Sequence, residues 1–239
     1  MPVSLRVITY NIRKGKGSNG RSAIEMTALG AALASHDADL VLCQEVFHSA
    51  RNGAWQSSHL AEAMGLESYY GANKFRSIGH HGNTTLTRLK VERFVNHDIS
   101  TNRIERRGAL YVRLDLGGAP LHVWNVHLGL NGWQRLSQVK RIASTLAELV
   151  KPGEAVLLAG DFNDWRRELD KVVVDELGFC NAFANGGPEA ARTWHAKRPV
   201  FALDRIYVRD AEIALAKRLE GAPWSELSDH LPLLAELRI

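Results

Sequence analysis

Eight side chains in this sequence have the chemistry to hold a divalent cation, move a proton or grip a phosphoryl oxygen. All lie in or beside apolar segments. Asn11 closes LRVITYN, Glu45 closes LVLCQE, His127 stands in LHVWNVHL, and Asp161 and Asn163 close AVLLAGDFN. Asp204 belongs to LDRIYV, and Asp229 and His230 form SDH just before the last apolar run. A core strand has no need of Asp, Asn, Glu or His at its end, since each is costly to bury without partners. One such ending is ordinary. Six along one chain imply a shared polar pocket at one edge of the sheets.

The residue types suit hydrolysis of a phosphate ester. Its transition state needs positive charge, its water needs orientation and deprotonation, and its leaving oxygen needs a metal or an acid. Mg²⁺, or Mn²⁺ in its place, takes oxygen ligands and keeps several waters, so a carboxylate or two plus an amide suffice. Glu45 reads as the direct ligand, with Asn11 and Asp229 beside it. Asp161 and Asn163 are two apart, so they share a face if the strand continues that far. The aspartate can then accept a proton from water while the amide holds that water or a phosphate oxygen. His127 and His230 can donate to phosphate oxygens, and Asp204 can hold one imidazole in its useful tautomer. Each residue taken singly has a plainer reading. Glu45 could be a solvated strand end, Asp161 and Asn163 a helix cap, Asp204 an ion pair with Arg205, His127 a core histidine, and Asp229–His230 a turn before Pro232.

The elements that must position these groups follow from periodicity. LRVITYN reads as a strand, 22–35 as a helix with Ser22 as N-cap and Glu25 three residues on, and 39–45 as a short buried strand. The region from Leu66 to Leu128 is strand-rich: GNTTLTRL, ERFVNHDI, GALYVRLDL and LHVWNVHL are bounded by turn residues. Residues 134–150 form an amphipathic helix with Leu136, Val139, Ile142, Leu146 and Leu149 on one stripe. AVLLAGDFN is another buried strand, 168–177 a helix, and LDRIYVR, AEIALAKRL and LPLLAELRI are strands. Mixed strands with few long helices suggest sheets packed face to face with helices outside. The 239 residues suit one α/β domain spanning 1–239.

Composition sets outer bounds. The formal net charge is +4, a mild basic excess that favours anionic partners. Basic residues gather in four loops: Arg13, Lys14 and Lys16; Arg103, Arg106 and Arg107; Arg166 and Arg167; Lys197 and Arg198. No apolar run is long enough to span a membrane. The first ten residues read as a strand and not as a secretory signal. Two cysteines, Cys43 and Cys180, make a poor disulfide framework, so a reducing cytoplasm is the natural inference.

The segments TYN, QE, NVHL, GDFN, LDRIYV and SDH, in this order, resemble the endonuclease/exonuclease/phosphatase superfamily across nearly the whole chain. That superfamily includes deoxyribonuclease I, abasic endonucleases, sphingomyelinases, inositol polyphosphate 5-phosphatases and poly(A) deadenylases. The resemblance implies a four-layer α/β/β/α sandwich of two mixed, mostly antiparallel sheets with the site at one end. It implies Glu45 as principal Mg²⁺ ligand, assisted by Asn11 and Asp229, and assigns Asp161 and Asn163 to the attacking water and the phosphate. His230 would contact the scissile phosphate, with Asp204 orienting it. Two departures narrow the branch. Arg13 stands where abasic endonucleases carry an acidic residue, and His127 where they carry an asparagine. His127 is similar to the branches that face phosphate with two histidines, and the chain is similar to small bacterial members.

The substrate expected first is nucleic acid, DNA or RNA, cleaved by a monomer. The second is a small phosphate ester or a phospholipid head group. A reading from another class is a non-enzymatic phosphate-binding module, against which the intact set of polar residues argues. Substrate contacts are expected from Arg13 and Lys14, from His81 and Asn83 in GHHGNTTLTR, from Arg107, and from Trp194 as a stacking surface. Their plainer readings are a solvated face, a glycine-bounded hairpin and a core tryptophan.

Overall fold

The computed structural model describes residues 2–21, 26–50 and 55–239. The helix N-cap expected at Ser22 and its partner Glu25 lie outside the described residues. The first sheet comprises β1 (Ser4–Asn11), β2 (Leu40–Ser49), β3 (Glu67–Arg76), β4 (Gly79–Thr87), β11 (Glu212–Arg218) and β12 (Leu233–Arg238), in the order β11-β12-β1-β2-β4-β3. The second comprises β5 (Lys90–Asp98), β6 (Gly108–Asp115), β7 (Pro120–His127), β8 (Ala155–Asp161), β9 (Cys180–Asn181) and β10 (Asp204–Arg209), in the order β5-β6-β7-β8-β10-β9. β1 pairs with β2 and β7 with β8 in parallel, and the other pairings are antiparallel.

Side-chain alternation explains the layers. On β1, Leu5 and Val7 face the opposite sheet and Ile8 and Tyr10 face outward; on β8, Leu157 and Ala159 face inward and Val156 and Leu158 outward. The inward residues of both sheets form the central core. The outward face of the first sheet packs on α1 (Met26–Ala34) and α2 (Gln56–Met64), which approach closely where Gly30 meets the Ala63 methyl. The outward face of the second packs on α3 (Gly132–Leu149) and a one-turn π-helix, Lys171–Glu176. This is the four-layer α/β/β/α sandwich that the sequence implied.

Four elements differ from expectation. α2 and β3 were not resolved individually in the sequence, because α2 (QSSHLAEAM) has a weak apolar stripe. The helix expected over 168–177 is shorter and is a π-helix. β8 ends at Asp161, so it does not reach Asn163.

The same alternation delivers the polar residues. Counting from the core positions, Asn11 on β1, Gln44 on β2, Asn125 and His127 on β7, Asp161 on β8 and Asp204 on β10 all take the inter-sheet parity. The parallel pairs end together, Asn11 opposite Gln44 and His127 opposite Asp161. Asp204 begins its strand, but β10 runs antiparallel to β8, so Asp204 lies opposite Asp161. One strand start, three strand ends and the middle of β2, which runs on past the expected stop at Glu45 to Ser49, thus share one edge.

Candidate active site

Beneath that edge the two sheets are tied by a buried amide relay. Gln44 Nε2 donates to Asn125 Oδ1 at 2.9 Å, and Asn125 Nδ2 donates to the carbonyls of Cys43 at 3.2 Å and Thr84 at 2.9 Å. Asn83 Nδ2 donates to the carbonyls of Gly108 at 3.2 Å and Asn125 at 3.1 Å. Asn83 is 1% exposed. Both its contacts are to backbone, so the structure places it under the site as a fastener and not at the cleft wall where a substrate contact was expected. Gln44 and Asn125 were not anticipated as site residues. Their signal was present, a buried amide inside each of two apolar strands.

Above the relay lies Asp161. Its Oδ2 accepts from Asn11 Nδ2 at 2.9 Å and stands 3.4 Å from His127 Nε2 and 3.8 Å from His230 Nε2. Its Oδ1 accepts the Asn163 backbone N–H at 2.9 Å. Asp161 and Asn163 therefore meet through an Asx turn, with Asn163 at φ 51°, and not through strand alternation. Asn163 spends one amide proton on the Leu128 carbonyl at 2.9 Å, which fixes its plane. Gly160, just before Asp161, has φ 142°, and a Cβ there would lie 1.9 Å from the Val126 carbonyl oxygen. Only glycine fits that approach, which accounts for the glycine of GDFN.

His230 Nδ1 is 2.8 Å from Asp204 Oδ2. Asp204 is fully buried, and its backbone N–H and that of Leu203 both reach Thr193 Oγ1 at 3.4 Å. Arg205 does not pair with the Asp204 carboxylate. Its guanidinium serves the carbonyls of Ala202, Asp204 and Asp164, anchoring the strand start. Residues 193–196 run beside 229–231 through Ala196 N–H to Asp229 O at 2.7 Å and Leu231 N–H to Thr193 O at 2.9 Å. Ser228 Oγ donates to the Asn11 carbonyl at 2.7 Å, joining SDH to the end of β1.

The electrostatics follow from burial and pairing. Burial raises the Asp161 carboxyl to about 6; His230 opposes this, Asp204 adds to it, and the hydrogen bonds from Asn11 and Asn163 oppose it. Burial works against charge on His230, but Asp204, Asp161 and Asp229 outweigh it and carry the imidazole up to about 10. His127 is held well below the usual range by burial and by Arg107, His230, Lys14 and His81. The two histidines therefore differ at neutral pH: His230 is a cation and His127 a neutral imidazole. His81 is held at about 4 by burial and Lys14.

Glu45 stands at a bulge in β2 between Cys43 and Val46, at φ 54°. The bulge turns its carboxylate out of the ladder into the cleft. Burial works against its charge, but the Lys14 ammonium, paired with Oε2, keeps its carboxyl below the ordinary value. Asp229 Oδ2 is shared by Arg13 Nε at 3.3 Å and Trp194 Nε1 at 3.4 Å.

The donor set fits a hard divalent cation. Glu45 and Asn11 bring oxygen to the same cleft, and a cation from the chain already sits on Glu45. Asp161, Asp204 and His230 also offer ligand atoms within 4.8 Å of one another. That trio is a weaker cation site, because a protonated imidazole bonded to Asp204 has no free lone pair.

The cleft over these groups has a volume of about 870 Å³. Asn11, Glu45, His127, Asp161, Asn163 and His230 form its floor, while Lys14, His81, Arg107 and Trp194 stand on its walls. Six Lys and Arg side chains line it against three carboxylates. Of the basic loops, those around Lys14 and Arg107 reach it, and Arg166 lines an adjoining pocket instead. Lys74 and Arg76 on β3 were missed in the sequence, because nothing in ESYYGANKFR marks where that strand leads. Trp165 and Phe201 also line the cleft and face the same space as Trp194. Trp165 stacks on the Arg135 guanidinium at 5.1 Å. Arg13 is committed elsewhere, donating to the carbonyls of Gly17 at 3.3 Å and Ser18 at 2.7 Å besides pairing with Asp229.

A four-layer α/β/β/α sandwich with a carboxylate–amide–histidine floor and a cationic wall is the arrangement of a hydrolytic phosphoesterase class. The model of the Endonuclease/Exonuclease/phosphatase family matches residues 8–230, and the chain belongs to that family. The uncharacterized protein YbhP of Escherichia coli (strain K12) is 37% identical over 247 residues, covering 99% of this chain and 97% of that protein. An endonuclease/exonuclease/phosphatase from Beutenbergia cavernae DSM 12333 superposes with a TM-score of 0.84 at 18% identity, covering 99% of this chain and 72% of that one. TDP2 of D. rerio, solved with a single strand DNA product, superposes with a TM-score of 0.76 at 19% identity and 98% coverage of both chains. Among the described residues no helix is long and apolar enough to cross a membrane.

Proposed function

We propose that the protein is a divalent-metal-dependent phosphodiesterase that cleaves nucleic acid. The observation that carries this reading is the pairing of an Asp161-centred floor with a wall of six basic side chains over one cleft. A cationic wall follows a phosphate backbone, and the aromatic surfaces of Trp165, Trp194 and Phe201 suit bases. TDP2, a protein of the same fold, carries single strand DNA product in its structure, which supports the same substrate class.

Glu45, with Asn11 and Asp229, would hold Mg²⁺ or Mn²⁺. The bound ion would supply Lewis-acid charge to a phosphate oxygen. Asp161, ionised above about pH 6, would orient and deprotonate the attacking water. Asn11 would keep Asp161 Oδ2 aimed into the cleft through its 2.9 Å hydrogen bond. His230, protonated and fixed by Asp204, would donate to a phosphoryl oxygen where charge grows. His127, neutral, would donate a second hydrogen bond without adding charge repulsion against His230, and Asn163 would hold the water or a phosphate oxygen.

The test is a screen of purified protein with Mg²⁺ or Mn²⁺ against plasmid, single-stranded DNA, RNA, bis-p-nitrophenyl phosphate, inositol phosphates and phospholipid vesicles. Cleavage of nucleic acid that falls steeply with salt and stops with chelator is the expected result. Turnover of small esters or lipids alone would overturn the nucleic-acid assignment, and no turnover with any metal would overturn the phosphodiesterase.

A further inference from the structure

The turn after β1 holds two cations on the carboxylates just assigned to metal. Arg13, Lys14 and Gly15 stand in succession in the left-handed region, at φ 49°, 57° and 66°. Glycine takes that backbone freely, whereas two consecutive long side chains take it at a cost and only where the surroundings over-determine it. They do so here. The Arg13 N–H donates to Asn11 Oδ1 at 3.0 Å, the Gly15 N–H to the Ile12 carbonyl at 2.9 Å, and Gln56 Nε2 to the Lys14 carbonyl at 2.9 Å. Gln56 is in turn fixed by the Phe47 N–H, which donates to its Oε1 at 2.8 Å, two residues beyond Glu45 on β2. What this construction delivers is the Lys14 ammonium on Glu45 and Arg13 Nε at 3.3 Å from Asp229.

The two cations differ in freedom. Arg13 is fastened to two backbone carbonyls, so it stays on Asp229 Oδ2 and leaves only Oδ1 to face a metal ion. No second partner of the Lys14 ammonium is seen among the described residues, its side chain is 30% exposed, and it stands on the cleft wall. Two cations cannot share one carboxylate oxygen without strong repulsion. An ion arriving on Glu45 Oε2 therefore displaces the Lys14 ammonium, which four rotatable bonds leave inside the cleft, and an ion on Oε1 meets its repulsion.

We propose that Lys14 is a built-in competitor for the divalent cation at Glu45, and that it couples metal binding to binding of a phosphodiester. The inference rests on the reading of Glu45 as a metal ligand. Metal alone meets the repulsion of the displaced ammonium. Metal together with an anionic diester does not, because the phosphate takes the ammonium as a new partner. Metal and substrate then bind more tightly together than apart, and by linkage each strengthens the other equally.

The experiment measures Mn²⁺ binding to the purified protein by electron paramagnetic resonance of free Mn²⁺, with and without a phosphorothioate-linked thymidine dinucleotide. In the natural protein the dinucleotide tightens Mn²⁺ binding. In Lys14→Met, Mn²⁺ alone binds roughly fivefold tighter, the worth of a half-buried ion pair, and the dinucleotide tightens it by a smaller factor than in the natural protein. Lys14→Gln gives the same result if the Met variant does not fold, while Lys14→Arg keeps the competition. Unchanged or weaker Mn²⁺ binding in folded Lys14→Met or Lys14→Gln would overturn the proposal. Glu45→Gln separates the two levels: undiminished Mn²⁺ binding there would overturn the metal assignment of Glu45 itself.

Discussion

His230 Nδ1 lies 2.8 Å from Asp204 Oδ2, and no hydrogen-bond partner reaches the other oxygen of that fully buried carboxylate among the described residues. A buried carboxylate with one partner is tolerable only if that partner is charged. The pair therefore holds its imidazole protonated, with the opposite ring nitrogen facing Asp161 at 3.8 Å. Asp204→Asn removes the charge but keeps the shape. The carboxylates carry the His230 imidazole up to about 10, and its titration in the metal-free protein, followed by its NMR resonance, should move in the variant toward the ordinary histidine range. Metal-supported turnover should fall roughly 10²-fold or more, as for loss of a positioned acid. A His230 titration unmoved by the substitution would show that Asp204 is not the group holding the proton.

Asp161 illustrates a conflict between chemistry and stability. Its folded value of about 6 lies above the ordinary 3.8. A carboxyl raised by folding costs stability when ionised, so the cost is absent below about pH 4, grows through the window, and is complete above about pH 6. Asp161→Asn should abolish hydrolysis while raising metal-free stability at pH 7 by about 1–3 kcal/mol. The gain should shrink as pH falls toward 4. Urea unfolding of both proteins at pH 4.5 and 7 checks this, and equal stability at both pH values would contradict it.

His48 works in the opposite direction, away from the cleft. Its ring lies against Tyr70 at 3.8 Å and Trp55 at 5.1 Å, with Nε2 2.9 Å from Ser57 Oγ. Burial, with help from His80, lowers it to about 4 from 6.5. Below about pH 6.5 the unfolded chain takes a proton that the folded one refuses, so stability is lost as pH falls toward 4 and the loss levels off below that. His48→Gln should therefore lower stability at pH 7 but flatten its acid dependence, with a differential of about 1–2 kcal/mol between pH 7 and 4.5. Parallel unfolding curves for the two proteins across that range would rule this out.

Gly160→Ala should destabilise the fold by roughly 2–4 kcal/mol, because a methyl would overlap the Val126 carbonyl oxygen and β7 and β8 would have to part. Their register is what sets His127 opposite Asp161. Activity should thus fall further than stability alone explains, measured as residual turnover at a temperature where the variant is fully folded.

Much of this arrangement could be read from the chain, and the limits have physical causes. Apolar strand character is local, so LRVITYN and LHVWNVHL were enough to show polar residues placed in buried strands, where they need shared partners. That the start of LDRIYVR reaches the same edge as those ends was invisible, because only antiparallel pairing against β8 brings Asp204 opposite Asp161. Asn83 looked like a cleft residue because GHHGNTTLTR resembles a family segment whose glycine–asparagine pair lies near the site. Its depth depends on the partner sheet, where the carbonyls of Gly108 and Asn125 wait for its amide. Lys74 and Trp165 were hidden for the same reason: a cleft wall is made by loops and edges distant in sequence, and no local period reports it.

The substrate assignment has a test that is independent of turnover. Lys16 and Arg76 are exposed, line the cleft and lie apart from the Asp161 floor. If they follow a phosphate backbone, each neutralises about one phosphate and releases its counterions. The slope of log affinity against log salt for a single-stranded oligonucleotide should then fall by about 0.7 per residue on Lys16→Ala or Arg76→Ala, and by about twice that in the double variant. The loss should be similar for unrelated sequences, since phosphate contacts carry no base information. Fluorescence anisotropy of a labelled oligonucleotide in chelator, across several salt concentrations, measures the slope without cleavage. A slope unchanged in the double variant would mean that the basic wall does not carry nucleic acid, and would turn the substrate toward a small ester held by the floor alone.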